Sequence, residues 1–173
     1  MKGISSIALL AIPLAFAAHA QTATSNTPAQ AGENGDATFI QKAGEGGMAE
    51  VELSKIAEKN ATSADVKKFA AQMVHDHTAN NKELTTIAAH ENTPVPKALD
   101  SDHAALRDKL EGMKGADFDR TYVDAMRTDH QKMIDLLKSS QATVSTEELR
   151  TFIKKTEPVV EHHLSMAQNL KVE

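Results

Sequence analysis

The stretch Ala64–His90, ADVKKFAAQMVHDHTANNKELTTIAAH, decides the fold. Val66, Ala70, Met73, His77, Asn80, Leu84 and Ile87 recur in it at intervals of three and four. That period gathers side chains on one face of an α-helix, and no strand signal competes with it. The stretch carries two histidines, His75 and His77. Positions two apart differ by about 200° around a helix, so the two cannot share a face. His77 falls on the seam with Met73 and Leu84, and His75 falls with Lys68, Gln72, Ala79 and Lys82. The rotation therefore predicts a buried His77 and an exposed His75.

The same period extends outward in both directions. Before it, NATSAD makes a turn with Thr62 or Ser63 as N-cap. A first helix runs from about Ala37 to Asn60, with the seam Ile40, Ala43, Gly47, Glu50, Ser54 and Ala57. These are small side chains, so a neighbour can approach closely, while Gly44, Gly46 and Gly47 weaken the helix locally. After it, Pro94 and Pro96 force an extended crossing segment. Ser101 then caps a short helix, Asp102 to Met113, which Gly115 ends. A third long helix, Ala116 to Ser139, has the seam Val123, Met126, His130, Met133 and Leu137. The fourth, Thr146 to Leu170, has the seam Leu149, Ile153, Thr156, Val160, His163, Ala167 and Leu170, and Pro158 should kink or divide it. Two helical hairpins joined by a long crossover predict an all-α, ferritin-like four-helix bundle, left-handed, with a short extra helix in the crossover.

Composition agrees. The chain has 173 residues, enough for one domain with a real core, and its aromatic content of 3% with no Trp favours helices over strands. A net charge of −5 with no basic block excludes nucleic acid and an anionic membrane surface as partners. The N-terminus, MKGISSIALLAIPLAFAAHAQ, reads as a signal peptide over residues 1–20. Lys2 is its positive end, Ile4 to Ala17 are apolar but short for a membrane span, and Ala18-His19-Ala20 is a cleavage signal. An uncleaved anchor is the alternative. Residues 21–36 are small and polar, a flexible linker to a domain spanning 37–173. Cysteine is absent, which removes disulfides, thiolate ligands and lipidation at an N-terminal Cys, so the core alone must hold the fold. The expectation is an exported protein, periplasmic in a Gram-negative source and not membrane-spanning after cleavage.

Each of the four seams contains one residue able to bind a metal: Glu50, His77, His130 and His163. Three imidazoles and a carboxylate suit one ion of Zn, Cu, Fe or Ni, and bundles build such sites from facing helices. Asp76 and Asp129 each precede a seam histidine, and Tyr122 lies two turns before His130, which makes them candidate supports for the ligands. The same four residues could instead form a buried polar layer that fixes register. They could also lie at different heights. Counting from the turns at about 1.5 Å per residue offsets Glu50 from His77 by roughly 5 Å, and His130 from His163 by roughly 12 Å. The second offset speaks against one tight site. Glu161-His162-His163 is a weaker local cluster, and His103, on the short helix, is expected to be exposed. No Glu is followed three residues later by His, so a di-iron site is not expected. No nucleotide-binding, serine-hydrolase or zinc-protease motif is present either.

Three segments, GEGGMAEVELSKIAEKNATSADVKKFAAQMVHDHTANNKEL, GADFDRTYVDAMRTDH and EPVVEHHLSMAQNL, resemble the exported bacterial proteins grouped as domain of unknown function 4142. The resemblance covers about Ala37 to Leu170. It places the family's characteristic polar positions on Glu50, Glu52, Asp76, His77, Asp119, Tyr122, His130 and His163. It implies a ferritin-like bundle outside the cytoplasm. The family's activity is not established, so the resemblance carries the fold and not the chemistry. Three functions compete: a metal-binding or stress-related bundle without turnover, a structural or interaction module of the cell envelope, and an oxidoreductase with a mononuclear metal. The first, a non-enzyme, is favoured.

Overall fold

The structure, a computed structural model, describes residues 28–172; the expected signal peptide, its expected cleavage site and Gln21 to Thr27 lie outside the described residues. Helices α1 (Pro28–Asn60), α2 (Ala64–His90), α3 (Ser101–Glu111), α4 (Gly115–Ser140) and α5 (Glu147–Asn169) account for most of it. Among the described residues there is no strand.

Side-chain contacts at the helix ends fix the directions. Asp36, near the start of α1, accepts from the backbone N–H and the hydroxyl of Ser145, just past the end of α4. At the other end, the N–H groups of Thr62 and Ser63 donate to the Asp119 carboxylate near the start of α4 at 2.9 and 2.7 Å. Helices α1 and α4 are therefore antiparallel. His90 at the end of α2 meets Glu148 at the start of α5, so these two are antiparallel as well. Because each hairpin also reverses direction, α2 and α4 run the same way. The chain between them must travel the length of the bundle. It does so as an extended segment through Pro94 and Pro96 and then as α3, which rests on α1 and α4.

The core forms two apolar blocks, each built from both hairpins. One gathers Phe39, Ile40, Leu84, Leu137, Leu149, Phe152 and Ile153 among others, with Phe39 and Phe152 edge to face. The other gathers Leu53, Val66, Phe69, Met73, Leu110, Phe118, Tyr122 and Met126. The polar seam residues lie between the blocks. All the seam positions expected on α1 and α4 are buried, and on α2 and α5 only Asn80 and Leu170 are half-buried. The small α1 seam does bring a neighbour close: a Cβ on Gly47 would stand 2.1 Å from Asn81 Oδ1 of α2.

Four local readings differ from the structure. Helix α1 begins at Pro28 rather than Ala37 and takes in part of the expected linker. Proline suits a first helical position, and the Asp36–Ser145 contacts hold the segment against the bundle end despite its weak helix formers. Helix α3 is capped by Asp100, not Ser101: its carboxylate accepts from Asp102 N at 2.9 Å and His103 N at 3.0 Å. That helix stops at Gly112, and Gly115, at φ +72°, opens α4 instead. Pro158 does not divide α5. It is exposed, so the Lys154 carbonyl that it leaves unbonded faces water.

Candidate metal centre

Rotation on α2 places the two histidines of the opening stretch on opposite sides. The His75 side chain is 81% exposed and His77 is 3% exposed. His77 is joined in the core by His130 of α4 and His163 of α5, at 0% and 1% exposure. The three rings form a triangle with centroids 5.1, 5.5 and 5.6 Å apart. One nitrogen from each residue lies within 4.8 Å of the other two. The 12 Å offset between His130 and His163, expected at about 1.5 Å per residue, is absent. Level helix ends were the wrong premise. Gln141, just past α4, already donates to Glu157, well inside α5, so α5 starts beyond the end of α4 and the loop climbs along the bundle axis.

Hydrogen bonds fix which nitrogens face inward. His130 donates from Nδ1 to the Met126 carbonyl one turn back, at 2.8 Å. Its Nε2 is then a bare lone pair, buried with no partner among the described residues. His163 donates from Nε2 to Asp76 Oδ2 at 2.9 Å, leaving Nδ1 as an acceptor 3.2 Å from His77 Nε2. His77 Nδ1 lies 2.8 Å from Glu50 Oε2. Thus each ring is held by a carbonyl or carboxylate on one nitrogen while the other turns to its neighbours, the arrangement in which histidines hold metals. Glu50 is 1% exposed, and its second oxygen is 3.3 Å from His130 Nδ1. Both oxygens are close to imidazoles but off the line of a ring N–H, and neither has a well-aligned hydrogen bond.

Charge follows from these neighbours. Burial pushes the Glu50 carboxyl up, but His77 and His130 outweigh burial and hold it at about 2. Burial opposes a proton on His77, yet Glu50 beside it prevails and raises its pKa. Burial lowers His130 against the pull of Glu50, and lowers His163 to about 4 against Asp76. These directions favour an ionised Glu50 beside a protonated His77, with His130 and His163 as neutral imidazoles that offer lone pairs.

The remaining candidates separate from the cluster. Asp76 supports His163 across the bundle rather than its neighbour His77, and it also contacts exposed His75. Tyr122 shares a 2.7 Å hydrogen bond with Ser54, one turn from Glu50. Asp119 ties the α1–α2 turn to α4. Glu52 is half-buried and makes no hydrogen bond or ion pair with the cluster. Asp129 faces the crossover, 3.5 Å from His103 Nε2. His103, expected to be exposed, has an 18% exposed side chain and is paired with both Asp100 and Asp129. The Met126 carbonyl was also missed; its only sequence signal is the four-residue spacing to His130.

The family model described as domain of unknown function (DUF4142) matches residues 21–170, and the chain belongs to that family. Among curated proteins, none matches it. Two solved structures share the fold. A DUF305 fragment from Deinococcus radiodurans is 10% identical with a TM-score of 0.69, covering 78% of this chain and 93% of that one. A DUF305 protein from Streptomyces coelicolor, provisionally described as secreted, is 15% identical with a TM-score of 0.66, covering 77% of this chain and 88% of that one. At these identities the likeness is one of fold. Among the described residues no helix is long and apolar enough to cross a membrane.

Proposed function

We propose that this DUF4142 chain is an exported bundle that holds one transition-metal ion in its core on His77, His130 and His163, without turnover. The observation that carries the reading is His130 Nε2, a lone pair buried without a partner beside two further imidazoles. A buried acceptor left bare is costly, and a cation shared with His77 and His163 satisfies it. Glu50 then serves less as a ligand than as the carboxylate that orients His77 and offsets the ion's charge. An all-imidazole set without thiolate suits Zn, Cu, Fe or Ni. Binding requires His77 to give up its proton, so uptake should release a proton and tighten as pH rises. Export rests on the signal peptide of residues 1–20 and accords with the description of the Streptomyces coelicolor protein.

The rival reading is a structural layer without metal. What favours it is the run of contacts Asp76–His163–His77–Glu50, which joins α1, α2 and α5 unaided. Metal analysis of the chain from Gln21, purified without a histidine tag and dialysed against each ion in turn, decides between them. One ion per chain, lost in the His130→Ala variant, supports the metal centre. No retained ion for any of the four metals leaves the structural layer.

A further inference from the structure

Between α1 and α4, below the start of α3, a cleft of about 540 Å³ opens to solvent. Its walls carry Glu45, Asp100, Asp129 and Asp135 against Lys42, Lys132 and His103, and its floor is Gly46, Met133 and Glu50. A second, internal cavity of about 10 Å³ lies on the other side of that floor, beside His77, Asn80 and Thr156. It has room for about one water-sized particle. Glu50 and Met133 line both spaces and are therefore the partition between them. Glu50 brings to this floor a buried carboxylate with no aligned hydrogen bond. Met133 is 9% exposed, and its terminal methyl lies so close to Gly46 that a Cβ there would stand 2.8 Å from it. Methionine has three rotatable bonds and repacks at little cost. The absent side chain at position 46 leaves the space in which this thioether can swing.

We propose that the cleft is the vestibule through which a hydrated divalent cation reaches the three histidines, and that Met133 is its gate. Four wall carboxylates against three cationic side chains, with the Glu50 carboxylate on the floor, leave the cleft negative enough to draw the cation in, and Glu50 receives it. Rotation of Met133 toward Gly46 or away from it joins the cleft to the space beside His77. This rests on the metal reading and adds to it a route and a rate.

The test is stopped-flow uptake of Zn²⁺ from a chromophoric chelator by the metal-free chain. Gly46→Leu pins Met133, and uptake should slow on the order of tenfold; Met133→Ala opens the partition, and uptake should quicken on the order of tenfold. Both variants should still take one Zn²⁺ at unchanged affinity. Gly46→Ala, which asks only a methyl to shift, should fold and load nearly as the parent does, and Met133→Ala tests the gate even if the leucine variant fails to fold. Wild-type rates in both Gly46→Leu and Met133→Ala overturn the gate. So does a loss of affinity without a change in rate in Met133→Ala, which would make the thioether a ligand. A parent chain that takes no Zn²⁺, Cu²⁺, Fe²⁺ or Ni²⁺ overturns the metal reading itself.

Discussion

Histidine meets carboxylate in two places in this chain, and the two are balanced differently. On the crossover, one imidazole, His103, stands between two carboxylates, Asp100 and Asp129. Its contact with Asp129, reinforced by Asp100, outweighs partial burial and raises it to about 9. A single proton satisfies that cluster. In the core, three imidazoles share one fully buried carboxylate, Glu50, and Asp76 reaches only the rim of the group. One proton on His77 leaves the lone pair of His130 unused. The difference lies in the count of acceptors and in water. The crossover cluster is closed by a proton and can borrow solvent, whereas the core cluster has spare acceptors and none to borrow.

The largest effect that would break this contrast is on metal binding. His77→Ala should abolish retention of an ion that the parent holds, while His103→Ala should leave it intact; isothermal titration of metal into each variant measures both. Asp76→Asn should weaken binding by about 10–100-fold, as expected when the carboxylate behind a ligating histidine is removed. A wild-type affinity in that variant would mean that His163 is not held for a metal. Next in size is pH. The pKa of His103 is raised from 6.5 to about 9 on folding, so its contribution is fully present below the lower value and is lost as pH rises through the upper one. Urea titration of the parent against His103→Gln should differ by about 1 kcal/mol or less near pH 6, given solvent screening, and converge near pH 10. The smallest effect is at His75. Its exposed ring should be replaceable by Ala with a stability change within about 0.5 kcal/mol and no change in metal retention.

Much of this was legible in the sequence because a helix of strict period announces its buried face. The seams and the opposed fates of His75 and His77 follow from rotation, and the bounds of α2 from the Ser63 cap and the break before Pro94. Height along the axis does not. It depends on the α4–α5 loop, and nothing in SSQATVST declares that the loop climbs rather than turns flat. The start of α1 was hidden for a related reason: its support comes from Ser145, more than a hundred residues away in the chain. The burial of His103 depends in the same way on Asp129, which the crossover brings to it. Local pattern gives the face of a residue, and partners distant in the chain give its level and its company.

The placement of the four core residues has one more consequence. Glu50 and His77 belong to the α1–α2 hairpin, and His130 and His163 to the α4–α5 hairpin. Neither half of the chain holds the whole set. An ion bound by all three imidazoles would be a clasp between halves, contributing about 2.7 kcal/mol to their union at a free concentration one hundred times its dissociation constant. Two fragments cut within the Pro94–Pro96 segment would then reassemble in proportion to the metal supplied, and a chelator would part them. The bundle would in that sense read its surroundings by whether its two hairpins stay together.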